Sequence, residues 1–102
     1  MATKTEKNWG LTSYTVDTWT DVLNEPAAVA AIIIANLSVG DAVVQLRLED
    51  GGTHVAQPLP PAIVASNGSI TLDVRSLNIT GTQALQFQAD VAGVEVIASG
   101  VA

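Results

Sequence analysis

The residues that could do chemistry in this sequence are few, and they lie around one predicted hairpin. His54 is the chain's single histidine. Glu49 and Asp50 precede it across a turn with two glycines, but adjacent carboxylates on a strand point to opposite faces. The spacing also lacks the later ligands and the bidentate glutamate of a calcium loop. We therefore interpret His54 as a solvated hairpin residue, beside no more than a weak, adventitious cation site.

Motifs for covalent or phosphate chemistry are missing as well. The sequence contains no G-x-S-x-G element, and any serine triad would have to use His54. Gly51 and Gly52 are not followed by the Lys-Ser/Thr pair of a phosphate-binding loop. The chain has no cysteine, which excludes disulfides and thiolate metal sites. We predict a protein that is not an enzyme and that has no catalytic residues, cofactor or metal.

The composition favours a self-associating domain. The chain has 102 residues, which fits one domain, and 48% of them are hydrophobic while only 4% are aromatic and 14% are charged. Aliphatic side chains with so few charges leave apolar surface that a neighbouring molecule must cover. We therefore expect a homo-oligomer.

The charges exclude several classes of partner. Residues 1–8 contain two lysines and one glutamate, whereas the rest contains two arginines and nine acids, for a net charge of −6. An acidic body repels nucleic acid and anionic lipid. The longest apolar run, residues 27–35, is too short to span a bilayer as a helix. We predict no nucleic-acid or membrane partner, and the polar first residues do not resemble a secretory signal.

Alternating polar and apolar residues predict strands along most of the chain. In residues 42–49, for example, Val44, Leu46 and Leu48 share one face, and a hairpin follows at Gly51-Gly52. Three prolines in residues 58–61 predict an edge or crossover segment. The whole pattern predicts an all-β fold: one antiparallel β-sandwich, jelly-roll or Ig-like, of about seven to eight short strands. Residues 9–102 form this sandwich, after a flexible arm at residues 1–8.

Two groups of apolar residues are candidates for contacts outside the core. In residues 27–35, a strand would place Ala30, Ile32 and Ile34 on one face, which we predict to be the oligomer contact. Trp9 and Trp19 lie near Tyr14 in the first quarter of the chain. Exposed, they would form a platform that binds a sugar or another surface; buried, they would plug one end of the core.

Several turn and strand motifs resemble those of small tailed-bacteriophage virion proteins. These small β-sandwiches combine a threonine-rich strand, an apolar strand ending in Asn, an Asn-Gly-Ser hairpin and a final Ala-Gly-Val turn. The matching segments are residues 14–23, 35–38, 67–72 and 85–96. The likeness spans nearly the whole chain except the arm and residues 58–61, and it implies no catalytic residues.

The resemblance implies a structural role in a virion. Such proteins are capsid decoration (cement) proteins, head fibres, or neck and tail accessories. We expect a decoration protein that binds the major capsid protein or other virion proteins as a symmetric oligomer, with a trimer favoured, and stabilises the head. It would be made in the host cytoplasm and located in the virion, on the capsid surface. The arm, with Lys4, Glu6 and Lys7, would order on capsid protein. The alternative is a receptor- or glycan-binding module, or a neck or tail accessory protein.

Overall fold

The chain forms an all-β domain. A computed structural model describes residues 5–102, apart from the side chain of Ser76, and this part contains strands and turns but no helix. Its eight strands are β1 (Glu6–Leu11), β2 (Thr20–Leu23), β3 (Ala27–Asn36), β4 (Ala42–Asp50), β5 (Thr53–Val64), β6 (Ser69–Ile79), β7 (Gln83–Ala89) and β8 (Val94–Val101). The predicted all-β fold and strand number are confirmed.

The strands form a sandwich of two antiparallel sheets. Sheet A has the order β1-β8-β3-β6, and sheet B has the order β2-β7-β4-β5. This arrangement of eight strands is that of a jelly roll, in which strands that are distant in sequence pair within each sheet. The sequence left jelly-roll and Ig-like sandwiches open, and the strand order identifies the jelly roll.

Strand β3 supplies the centre of the core. A bulge in this strand determines which of its residues face inward, and it reverses our prediction for Ile32 and Ile34. Its pairing shifts register between Val29 and Ala31, which marks a bulge. Because the bulge adds a residue, Val29 and Ile32 both point inward, and Ile34 follows Ile32. Ile32 and Ile34 are fully buried against the other sheet, while Ala30 is exposed. The prediction that Ile32 and Ile34 form an oligomer contact is therefore wrong, because they have no surface to offer to a neighbour.

The predicted arm is shorter than the sequence suggested. Strand β1 begins at Glu6, and Lys7 pairs with Gly100 of β8. Thr5 and Ala102 exchange two backbone hydrogen bonds of 3.0 Å each. Residues 6–8 are polar because β1 is an edge strand with a solvent-facing side, not because they are unpaired. The assignment of Glu6 and Lys7 to a flexible arm is wrong, and Lys4 lies outside the described residues.

The prolines occupy the position that their chemistry requires. Pro58, Pro60 and Pro61 lie in β5, which is the outer strand of sheet B. Proline has no backbone N–H to donate, so an edge strand accommodates it. The pairing of β5 with β4 shifts register at several points along this stretch. The predicted edge segment is confirmed, as part of one strand of 12 residues.

The connections gather at the two ends of the sandwich. At one end, which we call the loop end, lie the loops of residues 12–19, 37–41, 65–68 and 90–93. The shorter turns at residues 24–26, 51–52 and 80–82 lie at the opposite end with Thr5 and Ala102. The loops therefore form one continuous surface, held by the ends of both sheets.

Candidate functional site

The few residues whose types could do chemistry, Glu49, Asp50 and His54, lie together at the hairpin between β4 and β5. Glu49 and His54 face each other across β4 and β5. The Glu49 carboxylate accepts a hydrogen bond of 2.6 Å from the backbone N–H of Gly52, which fixes the turn. Asp50 accepts a hydrogen bond from the hydroxyl of Thr82 in the neighbouring turn. Among residues 5–102, no group of three or more His, Asp or Glu side chains is placed to hold a metal ion.

The two tryptophans have different environments. Trp9 is only 9% exposed and belongs to the core, so its assignment as a surface-binding aromatic is wrong. Its indole N–H is buried and has no hydrogen-bond partner in the described part of the chain. Trp19 is half-buried at the start of β2, with the guanidinium of Arg47 4.5 Å from its ring centre. Trp19 therefore stays a candidate for surface recognition, as part of a cation–π pair.

Tyr14 connects two of the loops at the loop end. Its hydroxyl donates a 2.6 Å hydrogen bond to the carbonyl of Val91 and accepts a 3.1 Å one from the N–H of Val94. Its ring packs edge-on against Phe87, with centroids 5.4 Å apart. Burial raises the pKa of Tyr14, as does the nearby Asp90, while the hydrogen bond from Val94 acts in the opposite direction.

Asn36 is the polar centre of the loop end. Its side chain is fully buried, and its amide donates to the carbonyls of Gly40 (2.8 Å) and Val64 (2.9 Å). Its side-chain oxygen accepts from the N–H (2.9 Å) and the hydroxyl (2.6 Å) of Ser38. Its backbone also exchanges hydrogen bonds with Gly68 and Asn67. A buried amide with all of its groups satisfied fixes the loops in one arrangement.

Two rows of hydrogen-bonded side chains cross the outer face of sheet B. In the first row, Gln57 donates to Gln45 (2.9 Å), which donates to Gln88 (2.5 Å). In the second row, Arg47 donates to Gln86 (2.7 Å), which donates to Asp21 (2.8 Å). In the strand register, Gln45 lies opposite Gln88, and Gln86 lies opposite both Arg47 and Asp21. We call them the polar rows; Trp19 lies beside them, under Arg47.

The outer face of sheet A is apolar at its centre. Ile33 and Ile97 are direct neighbours across β3 and β8, and Gly10 of β1 lies opposite Ile97. A depression of about 230 Å³ adjoins them, lined also by Ala35 and Glu95. This surface, rather than the opposite face of β3, is the exposed apolar part of the predicted oligomer strand.

No protein-family model matches the sequence, and no curated protein or solved structure is significantly similar to it. The part of the chain that the structure describes has no helix that is long and apolar enough to cross a membrane. The function must therefore be inferred from the chain's own surfaces: the outer face of sheet A, the polar rows of sheet B and the loop end.

Sequence reasoning missed Asn36 and the polar rows as candidate sites. The alternation of Gln86 and Gln88 along one strand did indicate a wet face. It could not indicate that Gln45 and Arg47 of a distant segment lie opposite them. Likewise, an Asn that ends an apolar run indicates a turn, but its burial between two sheets depends on the fold.

Proposed function

We propose that the chain is a non-enzymatic structural protein of a bacteriophage virion, a capsid decoration protein that binds the assembled head as a symmetric oligomer and stabilises it. The observation that carries the proposal is the outer face of sheet A, which offers a surface for a second copy of the chain. A protein that is present in many copies on the surface of a particle needs a contact between copies more than it needs a ligand-binding pocket.

The shape and composition of that face suit close packing between copies. Ile33 is 44% exposed and Ile97 is 41% exposed, although both lie in central strands of the sheet. Around them, Gly10, Ala31 and Ala35 present small side chains or none, so that another surface can approach closely. Apolar side chains at the centre of a patch are typical of the core of an oligomer interface.

The segments that resemble phage virion proteins meet in space, and this proximity supports the proposal. Asn36 of the second segment exchanges backbone hydrogen bonds with the Asn67-Gly68 turn of the third. Leu37 donates to the carbonyl of Gly93, in the turn of the fourth. The shared motifs therefore build one cluster of loops. The jelly roll is also a recurrent fold of viral capsid proteins, although a fold alone does not assign a function.

Cosedimentation tests this proposal. The purified chain would be mixed with heads and, separately, with tails from particles produced by the genome that encodes it. We expect saturable binding to heads at a fixed number of copies per capsid protein. Binding to tails alone would favour an accessory role at the tail over decoration. A lack of binding to either component, or a genome that yields no particles, would contradict the proposal.

A glycan-binding module is a second candidate, which the polar rows favour. Gln57 and Gln88 are each held by Gln45 at one end of the side-chain amide and present the other end in a fixed orientation, and Arg47 and Asp21 add one charge of each sign. Such a surface suits a neutral ligand rich in hydroxyl groups, with Trp19 beside it. A glycan array tests this candidate: we expect binding that Gln86→Ala abolishes and that Thr71→Ala, on the outer face of sheet A, leaves intact. If no glycan on the array is bound, this candidate function is contradicted.

A further inference from the structure

We propose that the loop end is a docking surface for a partner protein that has an apolar pocket bordered by lysine or arginine. The proposal concerns this surface alone, and it does not require the partner to belong to a virion. It therefore stands or falls independently of the decoration role.

At the loop of residues 37–41, polar side chains point inward and apolar side chains point toward solvent. The side chains of Asn36 and Ser38 turn inward and bond to each other, with Ser38 also donating to the carbonyl of Gly40 (2.9 Å). Leu37, by contrast, is 59% exposed, and Val39 is fully exposed. In a loop that only connects two strands, water would favour polar side chains at those two positions. The inversion points to a surface that is covered when the protein works.

The hydrogen bonds that hold this loop do not require Leu37 and Val39 to be exposed. The loop is held by Asn36 from below and by Ser66, whose hydroxyl donates a 2.5 Å hydrogen bond to the carbonyl of Ser38. Its backbone is also tied to Gly93 through the N–H of Leu37. None of these bonds uses the side chain of Leu37 or Val39. The loop is therefore a pre-ordered support that presents two apolar side chains without needing them for its own stability.

Other apolar side chains extend the surface. Val43 and Ile63 face each other in the second residue pair of β4 and β5 from the loop end, and Ile63 is 69% exposed. Val16 is exposed on the loop of residues 12–19. Of the eight large apolar side chains exposed in the described part of the chain, these three, Leu37 and Val39 all belong to this end. Such a concentration at one end of a small domain is typical of an interaction site.

The charges around this surface define the partner. Asp17, Asp41 and Asp90 are exposed in or beside the loops, and no lysine or arginine occurs in residues 12–19, 37–41, 65–68 or 90–93. A partner with a basic border complements this acidic ring. A second copy would bring the same acids against them, and nucleic acid and anionic lipid would be repelled. The surface therefore fits a different protein.

Site-specific photo-cross-linking in the cells that produce the chain tests the proposal. One variant carries p-benzoylphenylalanine in place of Val39, and the control carries it in place of Val55, an exposed valine that lies at the opposite end. We expect the first to cross-link to one protein, at an apolar peptide next to lysine or arginine, and the control not to do so. Cross-links to a second copy, to lipid, to both positions equally or to nothing would overturn the proposal.

Affinity measurements with the cross-linked partner complete the test. The double variant Leu37→Asn/Val39→Asn should bind about tenfold more weakly or worse, while Val55→Asn binds as the wild type does. Asp41→Asn should weaken binding and reduce its dependence on salt. Thermal unfolding of each variant verifies that the fold is retained. Unchanged affinity in the double variant would overturn the proposal even if a cross-link had formed.

Discussion

The side-chain amide of Asn36 donates a hydrogen bond to the carbonyl oxygen of Val64, 2.9 Å away. Asn36 ends β3 in sheet A and Val64 ends β5 in sheet B, so this bond joins the two sheets where their loops begin. The rest of the loop end is built around it. The fully buried amide of Asn36 therefore holds the loops in place through a polar network. The docking proposal depends on the surface that these loops form.

Replacing Asn36 should destabilise the whole domain. Asn36→Ala removes the side-chain hydrogen bonds to the carbonyls of Gly40 and Val64 and to the N–H of Ser38, and we expect a loss of about 3 kcal/mol in the free energy of unfolding. Asn78→Ala is the control, since Asn78 is an exposed strand residue and its loss should cost less than about 0.5 kcal/mol. Urea denaturation measures both. Equal stability of the two variants would contradict the role of Asn36.

The stability of the domain should fall at alkaline pH because of Tyr14. Its pKa in the folded protein is raised above the ordinary value of 10.0, so the neutral phenol is favoured by folding. This contribution is fully present below pH 10.0 and is lost as the pH rises through the folded pKa. Unfolding free energies between about pH 8 and 11 measure the decline.

Tyr14→Phe separates this effect from general alkaline unfolding. The variant should be less stable near neutral pH by about 1–3 kcal/mol, because the N–H of Val94 and the carbonyl of Val91 lose their partner. Its further loss above pH 10.0 should be smaller than that of the wild type. Parallel alkaline curves for the two proteins would show that Tyr14 is not responsible.

Two glycines in sheet A should respond differently to the same substitution. A Cβ at Gly100 would lie 2.0 Å from the carbonyl oxygen of Ala28, in the adjacent strand, whereas a Cβ at Gly10 would meet nothing within 4 Å. Gly100→Ala should therefore destabilise by about 2 kcal/mol or more, through displacement of backbone. Gly10→Ala should be close to neutral. Thermal unfolding compares them, and equal melting temperatures would be inconsistent with the close packing of β3 and β8.

Self-association should depend on Ile33 and Ile97. The double variant Ile33→Thr/Ile97→Thr should shift the mass in sedimentation equilibrium toward the monomer, because it removes the apolar centre of the outer face of sheet A. Ile63→Thr, which replaces a more exposed isoleucine in sheet B, should leave the mass unchanged. Ile32→Thr should instead lower the stability of the fold, since that side chain is in the core. If the wild-type protein is a monomer, the outer face of sheet A does not mediate self-association.

The fold was largely predictable from the sequence because alternation and turn residues are local signals. The strand around Leu46 and the hairpin at Gly51-Gly52 follow from them directly. Ile32 was wrongly predicted to lie on the protein surface, since either face of an unbroken apolar strand can be the face that packs against the core. The bulge after Val29 orients Ile32 inward together with Val29, and only the register with the neighbouring strands reveals it.

The candidate surfaces were less predictable because they join distant segments. Gln45 and Gln88 meet only because β4 pairs with β7. Leu37 and Val39 are visible in the sequence as apolar residues in a turn, but their exposure depends on Asn36 and Ser38 turning inward. Trp9 and Trp19 have similar sequence surroundings, yet one enters the core and the other lies under Arg47 on the outer face of sheet B.

The most direct test of the central claim is a density map of the particle that the encoding genome produces, determined by electron cryomicroscopy. We expect eight-stranded sandwiches as a symmetric cluster on the outside of the head, with Ile33 and Ile97 of each copy at the contact between copies. A map in which the head surface carries no such density, or in which the copies lie singly with that face in solvent, would contradict it.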